Sequence, residues 1–250
     1  MAESRLGRTY RIIYDKLCGR HPNLRPWHFQ WLDAYYLYRS LKRLLPTFGG
    51  RVLDAGCGSR PYQEWFGSVT EYVGLDVSPG RAVDLVVASN EHWPLPNEQF
   101  DVILSSQVLE HVEHLDITLY EMSRVLKRGG VAILTFPFLY NEHGAPWDYR
   151  RFTAYQAEQL FPDFEVLYLE KQGGIGSTVV ILLLNWVEMS MGLHRATRIL
   201  KAGLLPGWLA FSVVMNVVGL LIDRIDRTGA FYNNLLVVVK KPSANPNEQL

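Results

Sequence analysis

From Arg51 onward, short apolar runs ending in turn residues alternate with helix-length segments, the pattern of strand and helix units that feed a parallel sheet. RVLDAG (51 to 56), EYVGLDV (71 to 77), DLVVAS (84 to 89), FDVILSSQ (100 to 107) and VAILTFPF (131 to 138) predict five strands. FEVLYLEKQ (164 to 172) predicts a sixth and NLLVVVKK (234 to 241) the last. Between the fourth and fifth, Leu119, Met122 and Leu126 recur at helical spacing over residues 116 to 127, and Gly129-Gly130 closes that helix. The expected fold class is α/β, a doubly wound and mostly parallel seven-stranded sheet.

Two regions fall outside this rhythm. Residues 1–48 hold an aromatic-rich stretch from Trp27 to Tyr38 leading into helices that close at Pro46 and Gly49, read as an N-terminal helical cap. Such a stripe is either ordinary packing of cap helices or a lid over a bound acceptor. About sixty residues separate the sixth strand from the last, more than a loop between strands explains. The expected organisation is therefore a cap at 1–48, a core at 49–172, an apolar helical insertion at 173–230, and the last strand with a tail at 231–250.

With 25 Lys and Arg against 25 Asp and Glu, the net charge is zero, and no long-range field draws in a nucleic-acid backbone. No nucleic-acid partner is expected. Of the two cysteines, Cys18 and Cys57, the second lies between two glycines of a tight turn, an awkward place for a disulfide. The chain reads as reduced and cytoplasmic. Its charged first residues lack the apolar core of a secretory signal.

The chemistry concentrates in VLDAGCGS (52 to 59), where a strand runs into an acidic residue and two closely spaced glycines. Gly56 and Gly58 allow positive φ and leave no side chain between backbone and ligand. Asp76, about twenty residues on at the tip of the second strand, can accept hydrogen bonds from both hydroxyls of a ribose. A dinucleotide-binding dehydrogenase shares this arrangement, but its third glycine would fall where Pro61 stands.

The ordered series D-x-G-x-G-S, GLDVSPG, WPLPNEQFDVILSSQVLEHV and EMSRVLKRGGVAILTFP resembles the class I S-adenosylmethionine-dependent methyltransferases, specifically their type 11 branch, over roughly residues 50 to 172. The resemblance implies a Rossmann-like methyltransferase fold with S-adenosylmethionine as cofactor. It implies that Asp54 orients the methionine end, that Gly56 and Gly58 line the cofactor and that Asp76 holds the ribose. Where the family usually has an acid for the adenine amino group this chain has Ser89 and then Asn90, and Gln107 ends the fourth strand near the methionine moiety. The activity implied is in-line methyl transfer to a small or lipid-associated acceptor. The alternative is a catalytically silent, membrane-associated scaffold, with Ser89 as its one supporting feature.

If the acceptor is a hydroxyl, a base must take its proton, and the candidates lie in FPFLYNEHGAPWDYRRFT (136 to 153) at the carboxyl edge of the sheet. His143 is the expected base, with Asp148 and Tyr149 as catalytic partners. The competing reading is that Asp148 and the neighbouring arginines only fix the loop. His111 and His114, three apart, would need another ligand to suggest a metal, and no metal is assigned.

Residues 172 to 187 and 202 to 222 contain no charged side chain, and the second run approaches the ~20 apolar residues that span a bilayer. The chain must return to the same sheet. The joining segment carries His194, Arg195, Arg198 and Lys201, which disfavours translocating it. The expectation is a hairpin lying in the cytoplasmic leaflet, with Arg224 and Arg227 near headgroups, which makes the protein peripheral on the cytoplasmic face of a membrane. The competing readings are that the runs cover the sheet or form a dimer interface.

Overall fold

The computed structural model describes residues 5–88, 90–191 and 195–243, without the side chains of 5–7, 195, 196, 198 and 199. His194 thus lies outside the described residues, as do the side chains of Arg195 and Arg198. The chain forms two compact units. One comprises residues 39–138, 142–172 and 234–250, and the other residues 1–38, 139–141 and 173–233.

The first unit holds the sheet. Its strands are β1 (Gly50–Ala55), β2 (Val69–Asp76), β3 (Leu85–Val86), β4 (Phe100–Ser106), β5 (Leu126–Pro137), β6 (Glu165–Gln172) and β7 (Asn234–Lys240). They lie in the order β3-β2-β1-β4-β5-β7-β6. β1 to β5 pair in parallel, and β7 runs antiparallel between β5 and β6. Central strands covered on both faces must be apolar nearly throughout. Accordingly Val52, Leu53, Ile103, Leu104, Ile133, Leu134 and Leu235 to Val239 are all buried.

All seven predicted strands are present, but three details depart from expectation. β3 has two residues in place of six. Just before it the Asp84 carboxylate accepts the Gly74 N–H at 2.8 Å and pairs with Arg60, so a side chain takes a backbone partner at the sheet edge. β5 begins at Leu126, five residues early, because Lys127 to Gly130 continue in extended form where the helix α3 (Leu115–Val125) ends. The helix expected after the glycine turn is replaced by one short 3-10 turn, Gln63–Trp65. Pro61 and Gly67 bracket a connection too short for a full helix, and the buried Tyr62 and Phe66 cover the sheet instead.

The second unit is helical. It contains α1 (Arg5–Cys18), the start of α2 (Trp31–Leu44), α5 (Ile175–Ser190), α6 (Arg195–Gly203) and α7 (Leu205–Ile225). The sheet unit carries α3 and the short α4 (Ala154–Glu158). Leu32 of α2 joins Val180, Ile181 and Leu184 of α5 in one core, flanked by Phe29, Tyr35, Tyr140 and Trp208. The N-terminal residues and the insertion, expected as separate pieces, therefore share a core, and the aromatic stripe packs within it. α5 and α7 cross at a point where a Cβ on Gly176 would lie 2.4 Å from the Gly219 carbonyl oxygen, so only glycine fits there. Their outer faces are uncovered, with Val179, Trp186 and Met189 on α5 and Val214, Val217, Leu221 and Ile225 on α7 all exposed.

One buried ion pair fastens the segment after β3 to α3. Glu121 is fully buried and accepts from the Arg124 guanidinium, the His92 ring and, at 2.9 Å, the Trp93 N–H. Burial alone would push its carboxyl up, but these three donors outweigh it and hold it at about 2. Its folded value is depressed below the ordinary ~4.3 of an unfolded glutamate. Its contribution to stability is therefore complete above that range and is lost as pH falls from about 5 towards 2. Glu121→Gln is expected to cost on the order of 3 kcal/mol in urea unfolding at pH 7. The difference from the parent protein should shrink as the pH is lowered through that window.

Candidate active site

β1 ends at Ala55, and the chain must reverse over its own strand tip. Gly56 does so at φ +85°, and its N–H and that of Cys57 both donate to the Leu75 carbonyl, at 2.7 and 3.0 Å. A Cβ on Gly56 would lie 2.3 Å from Val108 Cγ2, so the bend is passable only without a side chain. Gly58 follows at φ +49° and donates its N–H to Asp76 Oδ2 at 3.0 Å, while Asp76 Oδ1 accepts from the Ser78 N–H. The carboxylate that ends β2 is thus aimed at the bend that ends β1. These bonds hold it there before any ligand arrives.

A cavity of about 240 Å³ opens at this edge. Ala55, Gly56, Asp76 and Gln107 line it together with the apolar Leu75, Val77, Val87, Trp93, Leu109 and Val112, and His111 and Thr118 close it. Gln107, at φ +59°, donates from Nε2 to Thr135 Oγ1 at 3.3 Å. Ser105 also reaches the wall, and its buried hydroxyl has no protein partner. A nucleoside with an amino-acid tail fits such a lining: apolar walls for a base, a carboxylate for ribose hydroxyls and unspent polar atoms beyond.

Asp54 behaves differently. It is 2% exposed, absent from the cavity wall, and its Oδ2 accepts the Tyr72 hydroxyl at 2.7 Å. Burial pushes its carboxyl up to about 6, partly offset by the Tyr72 bond and by Arg60. Of the adenine candidates, Asn90 is exposed and not part of the wall, and Ser89 lies outside the described residues.

The segment after β5 folds back onto the chain that follows β4. The Tyr149 N–H donates to the Glu110 carbonyl at 2.9 Å, and the Arg150 guanidinium donates to the carbonyls of Leu109 and Val112. Asp148 takes both guanidinium nitrogens of Arg151, at 2.5 and 2.8 Å, and the His143 N–H at 2.8 Å. The Arg151 bonds hold its carboxyl well below the usual carboxylate range. Its Oδ2 also faces His143 Nδ1 at 3.4 Å. Tyr149 is exposed, with its ring beneath Arg150.

Two residues were undervalued in the sequence. His111 lines the cavity, and its ring meets that of His143 edge-on at 4.7 Å. Glu110 is fully buried between them, its carboxyl pushed up by burial to about 8, and neither of its oxygens has a hydrogen-bond partner. The expectation that no further ligand stands near His111 is thereby corrected, because the missing partners are the adjacent Glu110 and His143, thirty-two positions on. His114 is exposed. No spacing rule links 110 to 143; only the return of the loop to the strand edge does.

Residues 53–134 match the family model of a methyltransferase domain. The chain is 32% identical over 117 residues to an uncharacterised protein of Methanocaldococcus jannaschii, covering 42% of this chain and 55% of that one. It is 32% identical over 109 residues to a ubiquinone biosynthesis O-methyltransferase of Cereibacter sphaeroides, covering 38% and 44%. The match thus spans about half the length of these relatives. In three dimensions a SAM-dependent methyltransferase from Archaeoglobus fulgidus superposes with a TM-score of 0.53 at 17% identity, over 93% of this chain and 99% of that one. The [4+2]-cyclase SpnF gives 0.53 at 19% identity over 84% and 82%, so the fold by itself does not fix the reaction. Motif series, strand order and cavity agree with these matches: residues 53–134 match a methyltransferase domain, and the chain has the fold of S-adenosylmethionine-dependent methyltransferases.

Proposed function

We propose that the protein transfers a methyl group from S-adenosylmethionine to a hydroxyl of an amphipathic acceptor. The observation that carries the reading is the Asp76 carboxylate aimed at the Gly56–Gly58 bend on the wall of the cavity. Bound there, the cofactor would supply a methyl group already activated on a sulfonium. The chain's own task is then to orient, to exclude water and to dispose of a proton. Asp76 would bind the ribose hydroxyls, Trp93 and Val87 would flank the base, and Gln107 with Ser105 would meet the amino-acid end. Asp54, tied to Tyr72, acts as a positioning residue beneath the bend. Ser89 and Asn90 remain our candidates for the adenine amino group.

The acceptor would enter beside His111. His143 would take its proton, with Asp148 fixing the ring and Arg151 keeping Asp148 ionised. Tyr149 would contribute at the rim of that loop. An oxygen acceptor is supported by the names of the ubiquinone biosynthesis O-methyltransferases among the relatives.

An amphipathic acceptor is supported by the helical unit. Among the described residues α7 alone is long and apolar enough to cross a bilayer, and only 17% of its most apolar stretch is buried. Arg224 and Arg227 are exposed at its end. We read the uncovered faces of α5 and α7 as resting on an anionic lipid surface, with a dimer through the same faces as the competing arrangement.

Asp76→Ala is expected to raise the Kd for S-adenosylmethionine by roughly 10- to 100-fold, the worth of hydrogen bonds to a charged acceptor; an unchanged Kd in titration calorimetry would remove the ribose assignment. His143→Ala is expected to lower kcat by about 10²–10⁴ while leaving cofactor affinity intact. Flotation with vesicles containing anionic lipid should carry the parent protein, and the pair Leu221→Glu with Ile225→Glu should stay behind. Equal flotation of both would refute the lipid reading.

A further inference from the structure

We propose that Glu110, His111 and His143 form a binding site for a divalent cation of the zinc and iron(II) class, at the corner where the acceptor enters. The proposal rests on the methyl-transfer reading for the placement of the acceptor, and on the geometry of the corner for the site itself.

Glu110 Oε1 stands 3.7 Å from His111 Nε2 and 3.9 Å from His143 Nε2, and the three ligand atoms all lie within 4.8 Å of one another. Those separations define a point on the order of 2.5 Å from each, against ligand distances of ~2.0–2.2 Å for such ions. Side-chain adjustments of a few tenths of an ångström close the set. Two imidazoles and one carboxylate are the ligand set of catalytic zinc and of non-haem iron, and they leave coordination positions open.

The surroundings favour a cation over an internal hydrogen-bond network. His111 Nδ1 lies 2.5 Å from the Trp147 carbonyl oxygen, which can only accept. That fixes the proton on Nδ1 and directs the Nε2 lone pair at Glu110. His143 Nδ1 faces the Asp148 carboxylate, which orients its Nε2 to the same point. A carbonyl or carboxylate holding the far nitrogen of a ligating histidine is the usual outer shell of a metal site. Glu110 supplies the independent observation. Its side chain has no solvent exposure and both oxygens lack a hydrogen-bond partner, an arrangement that costs free energy unless something else satisfies them. Neither oxygen accepts a hydrogen bond from the nearby Arg151, whose guanidinium donates to Asp148 and to the Arg150 carbonyl.

The ion would alter the chemistry in a defined way. An acceptor hydroxyl on an open position loses its proton to water, the resulting oxyanion takes the methyl carbon as the carbon–sulfur bond breaks, and S-adenosylhomocysteine and the methyl ether leave. His143 would then be a ligand in place of the base, and the cation would make the hydroxyl acidic enough to give its proton to water.

The test uses the full chain, stripped with a chelator and titrated with cobalt(II) and separately with zinc. One equivalent of cobalt should bind, with visible bands of a four- or five-coordinate ion that zinc abolishes. His143→Ala and His111→Ala should each weaken zinc binding at least tenfold. Both variants retain Glu110 and should keep the circular dichroism of the parent, and His143→Ala should also keep its S-adenosylmethionine affinity. Sub-stoichiometric or octahedral, solvent-like cobalt overturns the proposal, and so does zinc binding unchanged in the two variants. The cofactor titration stands apart: a chain that binds zinc but no S-adenosylmethionine keeps the site and loses the methyl-transfer reading.

Discussion

The structure turns on one constraint at the tip of the first strand. A chain leaving β1 must fold back without placing any atom where Val108 and a ligand both need room, and only a glycine at 56 allows it. The bend alone would be an unspecific notch. The Asp76 carboxylate, reaching across from the neighbouring strand to the Gly58 N–H, gives it polarity and, in the reading proposed above, its preference for a ribose. Parallel pairing of β1 with β2, residue for residue from Arg51 and Glu71 to Ala55 and Leu75, fixes the distance between the two. Sheet register, turn chemistry and the placing of the carboxylate are one device.

The rest of the sheet unit supports that device from two sides. On one side the Glu121–Arg124 pair holds the 92–97 segment against α3, which keeps Trp93 on the cavity wall although no regular element carries it there. On the other side the loop after β5 is tied down by backbone and guanidinium bonds to residues 109–113, so His143 meets His111 at a fixed angle. Both tethers use arginine forks and carbonyl oxygens, which hold irregular chain more firmly than apolar contact would.

Much of this was legible in the sequence. The strands could be read because central parallel strands are apolar throughout, and the bend at Gly56 and Gly58 facing Asp76 because a tight turn after a strand requires glycine at those positions. The missing helix after β1 was not legible: the alternating pattern led to a helix there, and the covering role of Tyr62 and Phe66 appears only in three dimensions. Glu110 escaped notice because its neighbours Leu109, Val112 and His111 suggest an ordinary amphipathic turn. Its importance comes from full burial without a partner, which no local pattern encodes. The common core of the N-terminal residues and the insertion was hidden for the same reason, since Leu32 and Ile181 are about 150 positions apart.

If the bend and the carboxylate together receive the nucleoside of S-adenosylmethionine, a crystal structure of the chain grown with S-adenosylhomocysteine will show both ribose hydroxyls within hydrogen-bond distance of Asp76 and the ligand backed against Gly56. A ligand bound elsewhere, or one lying in the cavity with its ribose turned away from Asp76, would overturn that assignment.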